Sequence, residues 1–156
     1  VLFRSVIPDE LITKIQNQGT FNQGFMTTEL LAAALLDMEL HNLTDTENLN
    51  VVAFEKETMD KLGLIPEIAP RYRATYFSHI IGGYAAGYYS YLWAEVLDTD
   101  AFEAFKEHGV FDKNTADSFR KNILEKGGTE DPMTLYRGFR GADPSLEPLL
   151  KNRGLK

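Results

Sequence analysis

Thr27-Thr28-Glu29-Leu30-Leu31-Ala32-Ala33-Ala34-Leu35-Leu36-Asp37 is the stretch that decides the fold. Residues 29–36 contain only Glu, Leu and Ala, which are among the strongest helix formers. Thr27 or Thr28 is placed to cap this helix. The run is apolar nearly all round, so burial on several sides inside a larger body is expected. Outward from it, helical patterns alternate with Gly, Pro and Asx breaks, and period-two alternation is nearly absent. The expected class is all-α. One weak exception is Tyr-Arg-Ala-Thr-Tyr at residues 72–76, whose alternation would allow a short bridge or turn.

Toward the N-terminus, Pro8-Asp9-Glu10 opens a helix with acid in its first turn, and Gly19 closes it. Toward the C-terminus, Asn50 caps a helix whose Val51, Phe54, Thr58 and Met59 share a face, ended by Gly63. Pro66 and Pro70 make a stiff connector. Residues 84–97 read as one further helix, and Asp98 or Asp100 as the cap of a short continuation ended by Gly109. Asn114 or Thr115 starts another helix, closed by Gly127-Gly128. Asp131-Pro132 and Asp143-Pro144 are both cap-then-Pro starts, with Gly141 and Gly154 as stops. No repeat or linker divides the chain. Residues 1–6 read as a ragged or non-native start, and residues 7–156 as one structural piece.

A chain of 156 residues, 44% hydrophobic and 25% charged, has ordinary globular composition. Its formal net charge of −7 argues against nucleic-acid binding and against attachment to an anionic membrane. The absence of cysteine excludes disulfides and thiolate metal sites, and fits a reducing compartment.

Only three histidines are present, His41, His79 and His108, and no His-Glu-x-x-His occurs among them. No metal site can be assigned to this chain from its own residues. Asp37 and His41, four apart, could share a cation, but the simpler reading is a carboxylate–imidazole pair. His108, beside Gly109, reads as a helix C-terminal residue. The Gly82-Gly83 pair is too little to make a phosphate loop.

The densest stretch runs from Tyr76 to Trp93 and holds five of the seven tyrosines, the only tryptophan and His79. On a helix, Tyr84, Tyr88 and Tyr91 would share one face and present a row of phenol hydroxyls. A neutral phenol held in a dry cleft can donate to a developing oxyanion. Gly82-Gly83 would let backbone approach a bound chain closely, or let the loop hinge. The plain alternative is an aromatic stripe packed in a core, since Ala85, Ala86, Gly87 and Ser90 would equally suit close helix packing.

The segment His79-Ile-Ile-Gly-Gly-Tyr84-Ala-Ala-Gly-Tyr88-Tyr89-Ser-Tyr91-Leu-Trp93-Ala-Glu95-Val resembles the tyrosine-rich segment of the M3 family of zinc peptidases. The resemblance extends to Phe21-Asn22-Gln23-Gly24-Phe25-Met26-Thr27-Thr28-Glu29, to Gly127-Gly128-Thr129-Glu130-Asp131, and to Arg137-Gly138-Phe139-Arg140-Gly141 through Leu155. These separated matches, in one order, cover residues 7–156, and the closing stretch looks like the bacterial dipeptidyl carboxypeptidase branch.

That resemblance implies the C-terminal, helical part of a two-lobed, channel-containing zincin-like peptidase that releases dipeptides from peptide C-termini. It implies zinc in the intact enzyme, held upstream of this chain, with short peptides as substrates and the N-terminal part of the same protein as partner. Tyr91 matches the family's oxyanion-donating tyrosine and would be catalytic. Tyr84, Tyr88, His79, Gly82 and Gly83 match substrate-binding positions. Without the zinc motif, the 156 residues alone are expected to be inactive. A cytoplasmic location is expected, with the periplasm as alternative. A carboxylate-binding arginine is expected among Arg71, Arg73, Arg137 and Arg140. The rival reading is a non-catalytic all-α peptide-binding or interaction module.

Overall fold

The computed structural model describes residues 6–156, and the expectation about the opening residues lies outside the described part for residues 1–5. The described residues form α-helices, one π-helical turn and loops, with no strand, so the class is all-α. Residues 72–76 are bends and turns rather than a bridge. Among the described residues no helix is long and apolar enough to cross a membrane. The chain divides into two compact units, one ending at Tyr91 and the other Leu92–Lys156.

The first unit holds α1 (Asp9–Gly19), α2 (Gln23–His41), α3 (Val51–Lys61) and the single turn α4 (Ser78–Ile81). The helix α2 starts earlier than Thr27 or Thr28, because Asn22 takes a left-handed conformation (φ 57°) that ends the preceding turn. Both threonines therefore lie inside the helix, where the Thr28 hydroxyl donates back to the Gly24 carbonyl at 2.8 Å. Asn50 caps α3 as its type demands, its side chain accepting from Ala53 N at 3.1 Å.

The α2 helix buries Ala32, Ala33, Ala34, Leu36 and Asp37. Its small alanines let rings approach closely, and Ala33 and Ala34 pack on Phe77 and Tyr88, flanked by Leu30, Tyr72 and Ile80. The burial is one-sided: Leu31, Leu35 and Met38, one stripe at i, i+4 and i+7, stay partly exposed. From α3, the buried Glu55 reaches the connector that follows Pro70. It accepts from Ala74 N at 2.7 Å and from the Arg73 guanidinium.

The division between the units falls in the first turn of α5 (Ser90–His108). This helix is continuous, which corrects the expected break at Asp98 or Asp100. Asp100 is buried and committed elsewhere: it accepts from the Tyr136 hydroxyl at 2.5 Å, with Arg140 Nε at 3.5 Å. Then follow α6 (Lys113–Phe119), a π turn (Arg120–Leu124), α7 (Pro132–Arg140) and α8 (Glu147–Asn152). Asp112, not Asn114 or Thr115, caps α6, accepting from Thr115 N at 2.7 Å. Asp131 caps α7 as expected, accepting from Thr134 N at 2.9 Å. Asp143-Pro144 starts no helix; Asp143 instead accepts from Arg137 Nε at 2.6 Å, and α8 begins only at Glu147.

Phe105, Phe119 and Phe139 interlock in the second unit with ring centroids 5.2 to 6.3 Å apart. A largely apolar hollow of about 360 Å³ lies among Leu97, Ala101, Phe119, Ile123, Leu135 and Phe139. Its one phenol, Tyr136, is tied to Asp100. The hollow shares no residue with the tyrosine-rich stretch.

Candidate active-site wall

The expected helix at residues 84–97 begins only at Ser90. Residues 82–89 are a string of tight turns instead, with Tyr84 N donating to His79 O at 3.2 Å, Gly87 N to Tyr84 O at 2.9 Å and Ser90 N to Gly87 O at 3.0 Å. The cause is an acceptor far away in sequence. The Asp37 carboxylate, on α2, accepts from Ala86 N and from Tyr88 N, each at 2.9 Å. Backbone donors held by this side chain are not free for an α-helical ladder, and Ala86 adopts a positive φ of 52°. Tyr84, Tyr88 and Tyr91 therefore do not share a helix face.

They nevertheless come together. Tyr84 and Tyr91 stack with centroids 5.2 Å apart and planes inclined by 19°, and Tyr88 meets Tyr91 edge-on at 5.2 Å. His79 lies among them, 5.2 Å from Tyr88, 5.9 Å from Tyr84, 6.1 Å from Tyr91 and 4.6 Å from Tyr72. Phe77 closes the cluster, stacked on Tyr72 at 5.2 Å.

Exposure sorts these residues into two kinds. Tyr84 and Tyr91 are 42% and 41% exposed, whereas Tyr88 is 3% exposed. The sequence reading put Tyr88 at the surface beside the other two; its ring instead forms the floor beneath them, because the turn delivers it into the core with Phe77. Gly82 and Gly83 are exposed, and a side chain at Gly83 would meet nothing within 4 Å. Neither has a positive φ, so open surface, not backbone geometry, is what these glycines provide.

The electrostatics suit hydrogen-bond donation. A hydrogen bond with Tyr84, then partial desolvation, pushes the Tyr91 phenol up to about 12. Tyr91 therefore keeps its proton at neutral pH. Burial pushes the Tyr88 phenol up as well, against the opposing pull of the Arg71 guanidinium. The Nδ1 of His79 is buried with no hydrogen-bond partner. A buried ring nitrogen of this kind calls for a water or a bound group.

Two sequence candidates resolve into structural roles. Asp37 and His41 are a carboxylate–imidazole pair, with His41 Nδ1 2.9 Å from Asp37 Oδ1. His108 bonds through Nδ1 to the Ala104 carbonyl at 2.9 Å. Of the four arginines considered for carboxylate binding, Arg73 is paired with Glu55, Arg137 with Asp143 and Arg140 with Glu107. Arg71 is exposed and has no carboxylate partner among the described residues. No group of three His, Cys, Asp or Glu among the described residues could hold a metal ion, so these side chains do not fit a zinc site. Sequence reasoning missed Tyr72, Phe77 and the reach of Asp37. An acid at the end of an apolar helical run was the available signal for the last of these.

The model of peptidase family M3 matches residues 4–155. The dipeptidyl carboxypeptidase of Escherichia coli is 44% identical over 97% of this chain and 23% of its own length. Its namesake from Salmonella typhimurium is 41% identical over 96% of this chain and 22% of its own length. Oligopeptidase A of Escherichia coli is 38% identical over 96% and 22%. The chain thus spans between a fifth and a quarter of the length of these relatives.

Proposed function

The chain belongs to peptidase family M3, and from that membership we propose that it forms one wall of the substrate site of a zinc-dependent oligopeptidase. In this reading the metal and its ligands come from polypeptide outside this chain, since no donor set among the described residues fits them. The chain's own part is to bind a peptide and to donate hydrogen bonds.

The observation that carries this reading is the exposed Tyr84–Tyr91 stack beside His79, with Tyr91 held protonated by its neighbour. Tyr91 donates to the oxygen that gains charge as a peptide carbonyl is attacked; removing a donor of this kind costs about 10²–10³ in kcat. Tyr84 takes the Tyr91 hydrogen bond while no peptide is bound, gives it up when the oxyanion forms, and contacts the substrate backbone. His79 lies among these rings beside the same backbone, and Gly82 and Gly83 let that backbone approach. Tyr88 supports the wall from beneath.

The names of the first relatives favour a peptidyl-dipeptidase. Such an enzyme needs a cation for the free C-terminal carboxylate, and Arg71 is the one of the four candidate arginines without an acidic partner.

A second reading, a non-catalytic helical interaction module, is favoured by the exposed Leu31–Leu35–Met38 stripe of α2. In the peptidase reading the rest of the enzyme covers that stripe. Zinc content and cleavage of a quenched peptide, compared between these 156 residues and the complete polypeptide, separate the two. The peptidase reading requires zinc and cleavage in the complete polypeptide only. A complete polypeptide without zinc or cleavage would leave the tyrosines as packing or peptide-binding residues.

A further inference from the structure

We propose that Asp37 is a positioning residue for the tyrosine wall: a buried carboxylate on α2 that clamps the turn carrying Tyr84, Tyr88 and Tyr91. The proposal rests on the peptidase reading for its consequence in catalysis, but not for the clamp itself.

Asp37 is fully buried, beside Leu36, which is also fully buried. A carboxylate in that position is tolerated only when its oxygens are satisfied. Here both are used. Oδ1 accepts from Ala86 N at 2.9 Å and faces His41 Nδ1 at 2.9 Å, while Oδ2 accepts from Tyr88 N at 2.9 Å. These bonds join backbone positions 49 and 51 residues away from Asp37 in sequence. The bonded residues lie midway between the two exposed phenols, two residues after Tyr84 and three before Tyr91.

The turn is also held by Gly87 N to Tyr84 O, Ser90 N to Gly87 O and the buried Tyr88 ring, but the amides of Ala86 and Tyr88 are held by Asp37. Residues 82–89 have no helical ladder, and Ala86 sits at φ 52°, a conformation an alanine leaves unless something holds it. The carboxylate supplies that hold. Letting residues 86–88 relax would rotate Tyr88 out of its seat and change the 5.2 Å spacing of Tyr84 and Tyr91. A shift of about 1 Å in a group that must meet a reacting atom can cost about 100-fold in rate. Asp37 touches no substrate in this account; it acts through the tyrosines.

The test is made in the complete polypeptide. In the unmodified protein, residue-resolved amide exchange should find Ala86 and Tyr88 protected at least about tenfold over Ala85 and Tyr89, which have no such acceptor. In Asp37→Asn one oxygen is replaced by an amide whose hydrogens face a backbone donor, so one clamp bond is lost. Exchange across residues 84–91 should then rise at least about tenfold, with α3 unchanged. On a quenched peptide, kcat should fall about 10–100-fold with KM within about threefold, because the donor is misplaced rather than the peptide released. Asp37→Glu keeps the charge but shifts it by one methylene, and should give an intermediate loss.

Equal protection of Ala85, Ala86, Tyr88 and Tyr89 in the unmodified protein would overturn the clamp, whether or not any variant folds. Faster exchange with kcat within about twofold of the parent would overturn the positioning role. A parent that cleaves nothing would overturn the peptidase reading, and the exchange measurement would still decide the clamp.

Discussion

Replacing Tyr84 by Phe removes one oxygen from the site and leaves the ring. The Tyr84–Tyr91 stack, at 5.2 Å and 19°, has no need of the hydroxyl, so the geometry of the wall should persist. What changes is the proton on Tyr91. Its phenol stands at about 12 chiefly because of the hydrogen bond with Tyr84, with desolvation second. A phenol at 12 is about one-tenth ionised at pH 11, whereas one at 10 is about nine-tenths ionised. In Tyr84→Phe the ionised fraction of Tyr91 at pH 11 should rise from about one-tenth toward nine-tenths, stopping short because desolvation remains.

The sign for stability follows from the same shift. A folded-state value raised above 10 favours the protonated, folded form. That contribution is fully present below about pH 10 and is lost as pH rises through about 12. Tyr84→Phe should therefore unfold at lower alkaline pH than the parent. The assay is ¹³Cζ tyrosine NMR with the Tyr91 signal assigned by its loss in Tyr91→Phe, and circular dichroism to mark where the fold gives way. An unchanged Tyr91 titration in Tyr84→Phe would refute the claim that Tyr84 holds the proton.

Phe77→Ala empties the largest fully buried side chain among the described residues, which seats both Tyr72 and Tyr88. Urea unfolding should register a loss of about 3–5 kcal/mol, and Phe77→Leu a smaller one. Arg71→Gln should raise KM for peptides with a free C-terminus and leave amidated peptides unaffected, measured by steady-state kinetics on the matched pair; equal effects on both would remove Arg71 as the carboxylate anchor.

Local chemistry made some of this structure legible. Asn50 and Asp131 read as caps and are caps, because a side-chain oxygen three residues before a free N–H is a short-range fact. The terminators Gly63, Gly109, Gly127 and Gly141 all take positive φ, as helix ends with glycine do. Two of the failures come from side chains committed over long range. Asp100 looks like a cap in sequence, but its partners are Tyr136 and Arg140, so α5 runs through it. Residues 84–89 look helical from Ala and Tyr spacing, but Asp37 takes two of their backbone donors. Asn22 starts α2 before the threonines because its left-handed turn comes first. His79, Tyr84, Tyr88 and Tyr91 do lie together, but not on a helix face: His79, Tyr84 and Tyr91 meet through a turn, and Tyr88 lies under them.

The kinetics of Tyr91→Phe in the complete polypeptide bear most directly on the claim that this wall takes part in peptide cleavage. The substitution keeps the stacked ring and removes the donor. With Tyr91 as the oxyanion donor, kcat should fall by about 10²–10³ with KM changed by no more than about threefold. A rise in KM with kcat unchanged would make Tyr91 a binding residue, and no change in either would take the tyrosine wall out of the chemistry.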